Sequence, residues 1–191
     1  MAVKSRNELD AMTNEQLVTY LNSLSKTDFN SYVDADTKAR YFIYLYGEAI
    51  AKAIKGTGLF FSGIVAMKIT ESGYGRNIPK DSFNFGGVKY NANIHDDFVL
   101  SDTSEIVKGK RVYIKAKFAK FKNAEDGIKK NIAVLLGDRY KKARTDAKSP
   151  EEQIRMIAQA GYTTTPASAY LNLMKGNINR VRKKTGFGRI N

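Results

Sequence analysis

The sequence predicts an α+β fold, mostly helical, with helices gathered around one small β-hairpin lobe. Three observations carry this. Apolar residues recur at helical spacing in several capped segments. One stretch alone alternates apolar and polar residues with a period of two. The chain has 191 residues, 42% of them apolar, enough to bury a sizeable core.

Taken in order, residues 14–25 form a weak amphipathic helix, with Asn14 as its cap and Leu17, Leu21 and Leu24 on one face. Asp34 and Asp36 open a longer helix through Phe42, Tyr46, Ile50 and Ile54, which Gly56 stops. The segment 59–70 is apolar nearly all round, with one lysine, and reads as a buried helix ending at Glu71-Ser72-Gly73. Residues 74–97, rich in Gly, Asn and Asp, read as irregular. In the segment 111–118, Val112, Ile114, Ala116 and Phe118 alternate with polar neighbours, a half-buried strand; Lys108-Gly109 is the turn that pairs it with residues 98–107. Asn123 caps a helix bearing Ile128, Ile132 and Leu135. Ser149-Pro150-Glu151-Glu152 starts another that stops at Gly161. Thr165-Pro166 opens the last, with Tyr170, Met174, Ile178 and Val181 on one stripe.

Composition narrows the chemistry. There is no cysteine and one histidine, His95, so thiol nucleophiles, thiolate zinc sites and histidine-rich metal sites are excluded. Asn93-Ile94-His95-Asp96-Asp97 reads as a solvated loop. No cofactor or metal is expected. The net charge is +13, unevenly placed: residues 1–107 hold 11 basic and 13 acidic residues, and residues 108–148 hold 14 basic and 4 acidic. An anionic partner follows, and nucleic acid, membrane surface and cell-wall polymer all fit the charge. No segment has the 18 consecutive apolar residues of a membrane span, and the first residues lack the apolar run of a secretion signal.

Glu71 is the outstanding carboxylate. It falls at the end of a buried helix, where desolvation and the negative end of the helix dipole both disfavour an ionised carboxylate. A protonated carboxyl is what a glycosidase uses to protonate a leaving-group oxygen.

Glu71-Ser72-Gly73-Tyr74-Gly75 resembles the ESGWG signature of the bacterial glucosaminidases, glycoside hydrolase family seventy-three. Three further stretches follow in the family's order: Phe83 to Lys89 resembles NNLFGIK, Lys115 to Phe118 ends a similar hairpin, and Gly161 to Pro166 resembles GYATDP. The resemblance spans about residues 45–180. It departs at Gly86, where phenylalanine is usual, at Thr165, where aspartate is usual, and in two extra residues before Tyr170. It implies a lysozyme-like domain over residues 34–191, with residues 1–33 an accessory helical segment.

By the same resemblance Glu71 is the general acid, and Glu105 on the hairpin, with Asp102 as the fallback, is the second carboxylate. Tyr162 is the cleft tyrosine, while Tyr74, Asn84, Phe85 and Tyr170 bind sugar. The implied reaction is hydrolysis of the β-1,4 bond on the reducing side of N-acetylglucosamine in peptidoglycan, by a protein acting at the cell wall. Such a protein is a monomer or part of a phage or secretion assembly. It is released phage-fashion, carried on a virion, or secreted with its leader removed. Peptidoglycan and its anionic polymers suit the basic half, and no nucleic acid is expected as partner. Three rivals stay open: a lytic transglycosylase of similar fold, a wall-docking module without hydrolysis, and a basic nucleic-acid-binding module.

Overall fold

The computed structural model describes residues 3–107 and 110–186, the side chains of residues 105–107 and 111 excepted. The sequence expectation of a mostly helical α+β architecture holds. Helices α1 (Arg6–Asp10), α2 (Asn14–Ser23) and α3 (Lys26–Tyr32) precede the long α4 (Ala35–Ile54) and the buried α5 (Phe61–Ser72). A hairpin of β1 (Asp97–Val107) and β2 (Lys110–Lys120) interrupts the helices. Then come α6 (Ala124–Ala133), α7 (Lys141–Thr145), α8 (Pro150–Ile157) and α9 (Ala167–Thr185).

Local chemistry sets most of the boundaries. Asp34, Asn123 and Ser149 cap α4, α6 and α8 by accepting from backbone N–H groups of the first turn. At α2 the cap is Thr13, in a reciprocal capping box with Gln16; Asn14 is the first helical residue and instead accepts from Arg40 Nε at 2.8 Å.

Helix α5 is the centre of the molecule. Every residue from Phe61 to Ile69 is buried, and the helix packs against α9 most extensively, and also against α4 and α8. Ile64, Val65, Met67 and Ile69 are nearly inaccessible, each contributing about 1.5–3 kcal/mol of burial free energy. Phe60 supplies no side-chain cap. Gln153 of α8, fully buried, accepts from Phe60 N at 2.8 Å and donates to the carbonyls of Gly58 and Ala143. One amide thus binds the start of α5 to α7 and α8.

The hairpin pairs antiparallel, with Asp97 opposite Lys120 and Val107 opposite Lys110; the turn Lys108-Gly109 lies outside the described residues. The expected half-buried strand is buried only at its base, where Phe118 and Ala119 reach the core. Val112 and Ile114 are exposed. Among the described residues no element covers the outer hairpin, so alternation there has nothing to pack against.

The described residues 3–33 form three short helices, where the sequence pattern predicts one at 14–25. Leu9, Leu17, Leu21, Leu24, Phe29 and Val33 make a second apolar cluster that closes on Tyr41 of α4 and on Tyr74. Two arginines tie it down. Arg40 donates to the carbonyls of Leu9 and Met12, and Arg76, just after α5, donates to the carbonyl of Leu24 at 2.8 Å while lying 5.0 Å over the Phe29 ring. Both bind carbonyls at or just beyond the C-terminal ends of short helices.

Arg76→Ala is therefore expected to cost about 2 kcal/mol through its charge-assisted hydrogen bond. That corresponds to a fall of about 4–8 °C in Tm for a chain of this length, read by thermal melting; an unchanged Tm would show that the N-terminal helices hold without it.

Candidate active site

Glu71 occupies the last turn of α5, and the chain turns sharply after it. Gly73 takes the left-handed conformation (φ 53°), and an added Cβ would collide with the Asn77 side chain, so glycine is required. Ser72 fastens this turn: its hydroxyl donates to Lys68 O at 2.5 Å and accepts from Gly75 N at 2.9 Å. Tyr74 also has positive φ (59°), and its hydroxyl donates to Asn177 Oδ1 at 3.3 Å. The ESGYG segment is thus a latch that ends α5 with the carboxyl group of Glu71 facing out of the core.

What it faces is an open groove of about 560 Å³, lined by Gly86 to Val88, Asn131, Arg139 and Tyr140 together with Tyr162 and Tyr170. Glu71 is the one carboxylate lining it among the described residues. Its side chain is 17% exposed and carries three hydrogen bonds. Tyr170 OH donates to Oε1 at 2.8 Å. Lys68 Nζ at 2.9 Å and Tyr162 OH at 3.2 Å both donate to Oε2. Lys68 also reaches the Tyr162 oxygen at 3.5 Å, closing a triangle.

Lys68 is fully buried. Burial alone pulls its ammonium toward neutrality, but attraction to the Glu71 carboxylate, then Tyr162 and the two hydrogen bonds, outweighs it and holds Lys68 above the ordinary lysine value. Burial pushes the Tyr162 phenol up to about 12. Burial, with the Glu71 charge adding to it, raises Tyr170 further. Both phenols therefore stay protonated donors.

The sequence-derived site residues divide. Glu71, Tyr162 and Tyr170 converge on one point. Asn84 and Phe85, expected to bind sugar, are buried away from the groove. Asn84 donates to the carbonyls of Val88 and Ala119 and accepts from Val88 N, clamping the 84–88 turn onto β2 and shaping the groove wall from behind. Phe85 packs edge-on against Tyr46 in the core. Tyr74 bridges the two apolar clusters instead of lining the groove.

Glu105 stands opposite Val112 in the hairpin, and its side chain lies outside the described ones; Asp102 is exposed opposite Lys115. His95 is not simply solvated: its Nδ1 accepts from Asn91 N at 2.9 Å, and its ring meets Tyr90 and Phe121. It belongs to a second groove of about 410 Å³ that also includes Lys120, Lys122 and Lys130. No group of three or more metal-ligating side chains occurs among the described residues.

Two residues escaped the sequence reading. Lys68 was visible only as one lysine in an apolar helix, although its spacing of three from Glu71 is that of a helical ion pair. Asn131 is buried, with Nδ2 donating to Gly127 O at 2.8 Å and Oδ1 without a hydrogen-bond partner among the described residues. A Cβ on Gly86 would collide with that oxygen, so the Gly86 departure from the motif and Asn131 fit each other.

A helical body, a projecting hairpin and, among the described residues, one carboxylate over an open groove form an arrangement that acid-catalysed glycoside hydrolysis can use. The family described as mannosyl-glycoprotein endo-beta-N-acetylglucosaminidase (Glucosaminidase) matches residues 47–183, and the chain belongs to that family. It is 25% identical over 158 residues to the peptidoglycan hydrolase FlgJ of Escherichia coli K12, covering 80% of this chain and 50% of that protein. The chain therefore spans about half the length of the curated relatives it matches.

Among solved structures, the glycoside hydrolase domain of Salmonella typhimurium FlgJ, C-terminally truncated, superposes with a TM-score of 0.62 at 24% identity, over 76% of this chain and 98% of that one. The catalytic domain of the autolysin Auto from Listeria monocytogenes gives 0.61 at 22%, over 95% and 99%. Both share the fold.

The phenols and the ammonium set a pH dependence of stability. All three hold their protons more tightly folded than unfolded, so their contribution is complete below the ordinary tyrosine value of 10.0 and is lost as pH climbs above it. Thermal melts between pH 8 and 11 should show Tm falling from about pH 10 upward, with a shallower slope in the Tyr162→Phe/Tyr170→Phe double variant; equal slopes would remove these phenols as the cause.

Proposed function

We propose that this chain is a peptidoglycan hydrolase acting at the cell wall. It cleaves the β-1,4 bond on the reducing side of N-acetylglucosamine, with Glu71 as general acid. The observation that carries this reading is the convergence of Lys68, Tyr162 and Tyr170 on the one carboxylate that, among the described residues, lines the groove. Family membership gives the class of bond, and the relatives' names point to peptidoglycan as substrate.

In this reading a glycan strand lies along the groove with its scissile oxygen over Glu71. The acid proton passes to that oxygen as the C–O bond breaks, leaving a positive charge spread over the ring oxygen and anomeric carbon. Water then adds to that carbon and releases its proton. Either a hairpin carboxylate, Glu105 or Asp102, takes that proton as the water adds, or the sugar's own acetamido oxygen first bonds to the carbon and the water then opens that ring, returning its proton to the Glu71 carboxylate. Tyr162 and Tyr170 keep the Glu71 carboxyl in place by hydrogen bonds from both sides. The basic segment 108–148 favours association with anionic wall polymers, more weakly as salt rises.

The test is digestion of purified peptidoglycan by wild type, Glu71→Gln, Glu105→Gln and Asp102→Asn, with products identified by mass spectrometry. Wild type is expected to leave reducing N-acetylglucosamine ends, and Glu71→Gln to lose at least about 100-fold in rate. A comparable loss in Glu105→Gln or Asp102→Asn would identify the hairpin carboxylate as base, and full activity in both the acetamido route. Anhydro-muramic ends would make the protein a transglycosylase, and an active Glu71→Gln would overturn the assignment of the acid.

A further inference from the structure

The two oxygens of Glu71 are not equivalent. Oε2 accepts from two donors, Lys68 Nζ and Tyr162 OH, which fills its two lone-pair positions. Among the described residues Oε1 accepts from Tyr170 OH alone, leaving one position open. A proton on Glu71 therefore sits on Oε1, and the negative charge left after its transfer is met on Oε2 by an ammonium. From this geometry we infer that Lys68 is a positioning residue of the reaction, which selects Oε1 as the proton-donating oxygen and compensates the charge on Oε2 once the proton has gone. This rests on the reading of Glu71 as the acid and deepens it.

The location of Lys68 supports a role in the site over one in stability. It stands in the middle of a helix whose neighbours Ile64, Val65, Met67 and Ile69 are all buried and apolar. A buried ion pair repays its desolvation poorly, and an apolar side chain of similar volume there would serve stability as well or better. The pair is also asymmetric, since Lys68 is inaccessible while Glu71 is 17% exposed toward the groove. The cation is hidden and only the acid reaches substrate.

The atoms balance without any further reagent. The Oε1–H bond breaks and its proton bonds to the glycosidic oxygen. That oxygen keeps the electron pair of the broken C–O bond and leaves as an alcohol. The carboxylate electrons delocalise toward Oε2, where the Lys68 ammonium stays protonated throughout. The ionisable groups around the pair, among the described residues, are few. Tyr162 comes from the turn after α8 and Tyr170 from α9. Asn131 of α6 is neutral, and Arg139 on the groove wall is occupied by the Ala160 carbonyl. No second carboxylate competes for Lys68 among them.

Removing an opposite charge this close lets a carboxyl keep its proton to higher pH, by about 1 unit or more. The experiment is the pH dependence of kcat/KM on solubilised peptidoglycan strands for wild type, Lys68→Met and Glu71→Gln, each checked for folding by its melting transition. The expected result is an inactive Glu71→Gln, and a Lys68→Met enzyme with a lower plateau whose alkaline limb lies about 1 pH unit or more above that of wild type. An unmoved limb in a folded Lys68→Met protein, with Glu71→Gln inactive, overturns the role of Lys68 and leaves Glu71 as the acid. Activity in Glu71→Gln removes both.

Should Lys68→Met fail to fold, the wild type decides through the 15N signal of the Lys68 ammonium. Its shift is expected to move with the midpoint of the alkaline limb, and a shift that stays flat across that limb overturns the coupling.

Discussion

A helix that is apolar on every side can exist only if other chain surrounds it, and α5 imposes that condition on the whole molecule. Helices α4, α8 and α9 are arranged around it, and Gln153 closes its N-terminal end with a buried amide. With its sides sealed, the C-terminal end is where the helix meets solvent, and Glu71 stands there. The position of the carboxyl group follows from the packing of the core and is as rigid as that core.

The groove is built from distant pieces of chain that meet at this end. Tyr162 reaches it because Gly161 turns the chain with φ 81° after α8, and Tyr170 because it lies on the first turn of α9, on the stripe that packs against α5. The opposite wall, Gly86 to Val88, is held by the Asn84 side chain against β2. Polar groups thus do two separate jobs: some face the groove, and others hold the backbone that forms it. Charge follows the same division, with most surplus lysine and arginine on the hairpin and the segment after it, where the chain is exposed.

Much of this was legible in the sequence because the signals were local. Asp34, Asn123 and Ser149 announce their helices by capping chemistry, and the buried stripe of α9 follows from a simple period. The ESGYG latch is likewise a run of adjacent residues. The parts that escaped depend on distant partners. Helices α1, α3 and α7 are five to seven residues long, too short to persist without the chain they pack on. The outer hairpin alternates as a buried strand would, yet none of the described residues covers it. Asn84 and Phe85 lie in a motif that reads as sugar-binding, and only the fold shows one as a backbone clamp and the other as core. Lys68 looked like a blemish in an apolar helix until its carboxylate partner and its complete burial were seen together.

The two arginines that hold the N-terminal helices have a bearing on how the molecule comes apart. Arg76 belongs to the same turn that ends α5, while the carbonyl it binds belongs to the segment after α2. Tyr74, within the latch itself, packs against both apolar clusters. The turn that ends α5 is therefore in contact with the N-terminal lobe and also carries Glu71 to the groove. In thermodynamic terms, shared contacts of this kind couple the order of the first three helices to the geometry of the turn that holds Glu71.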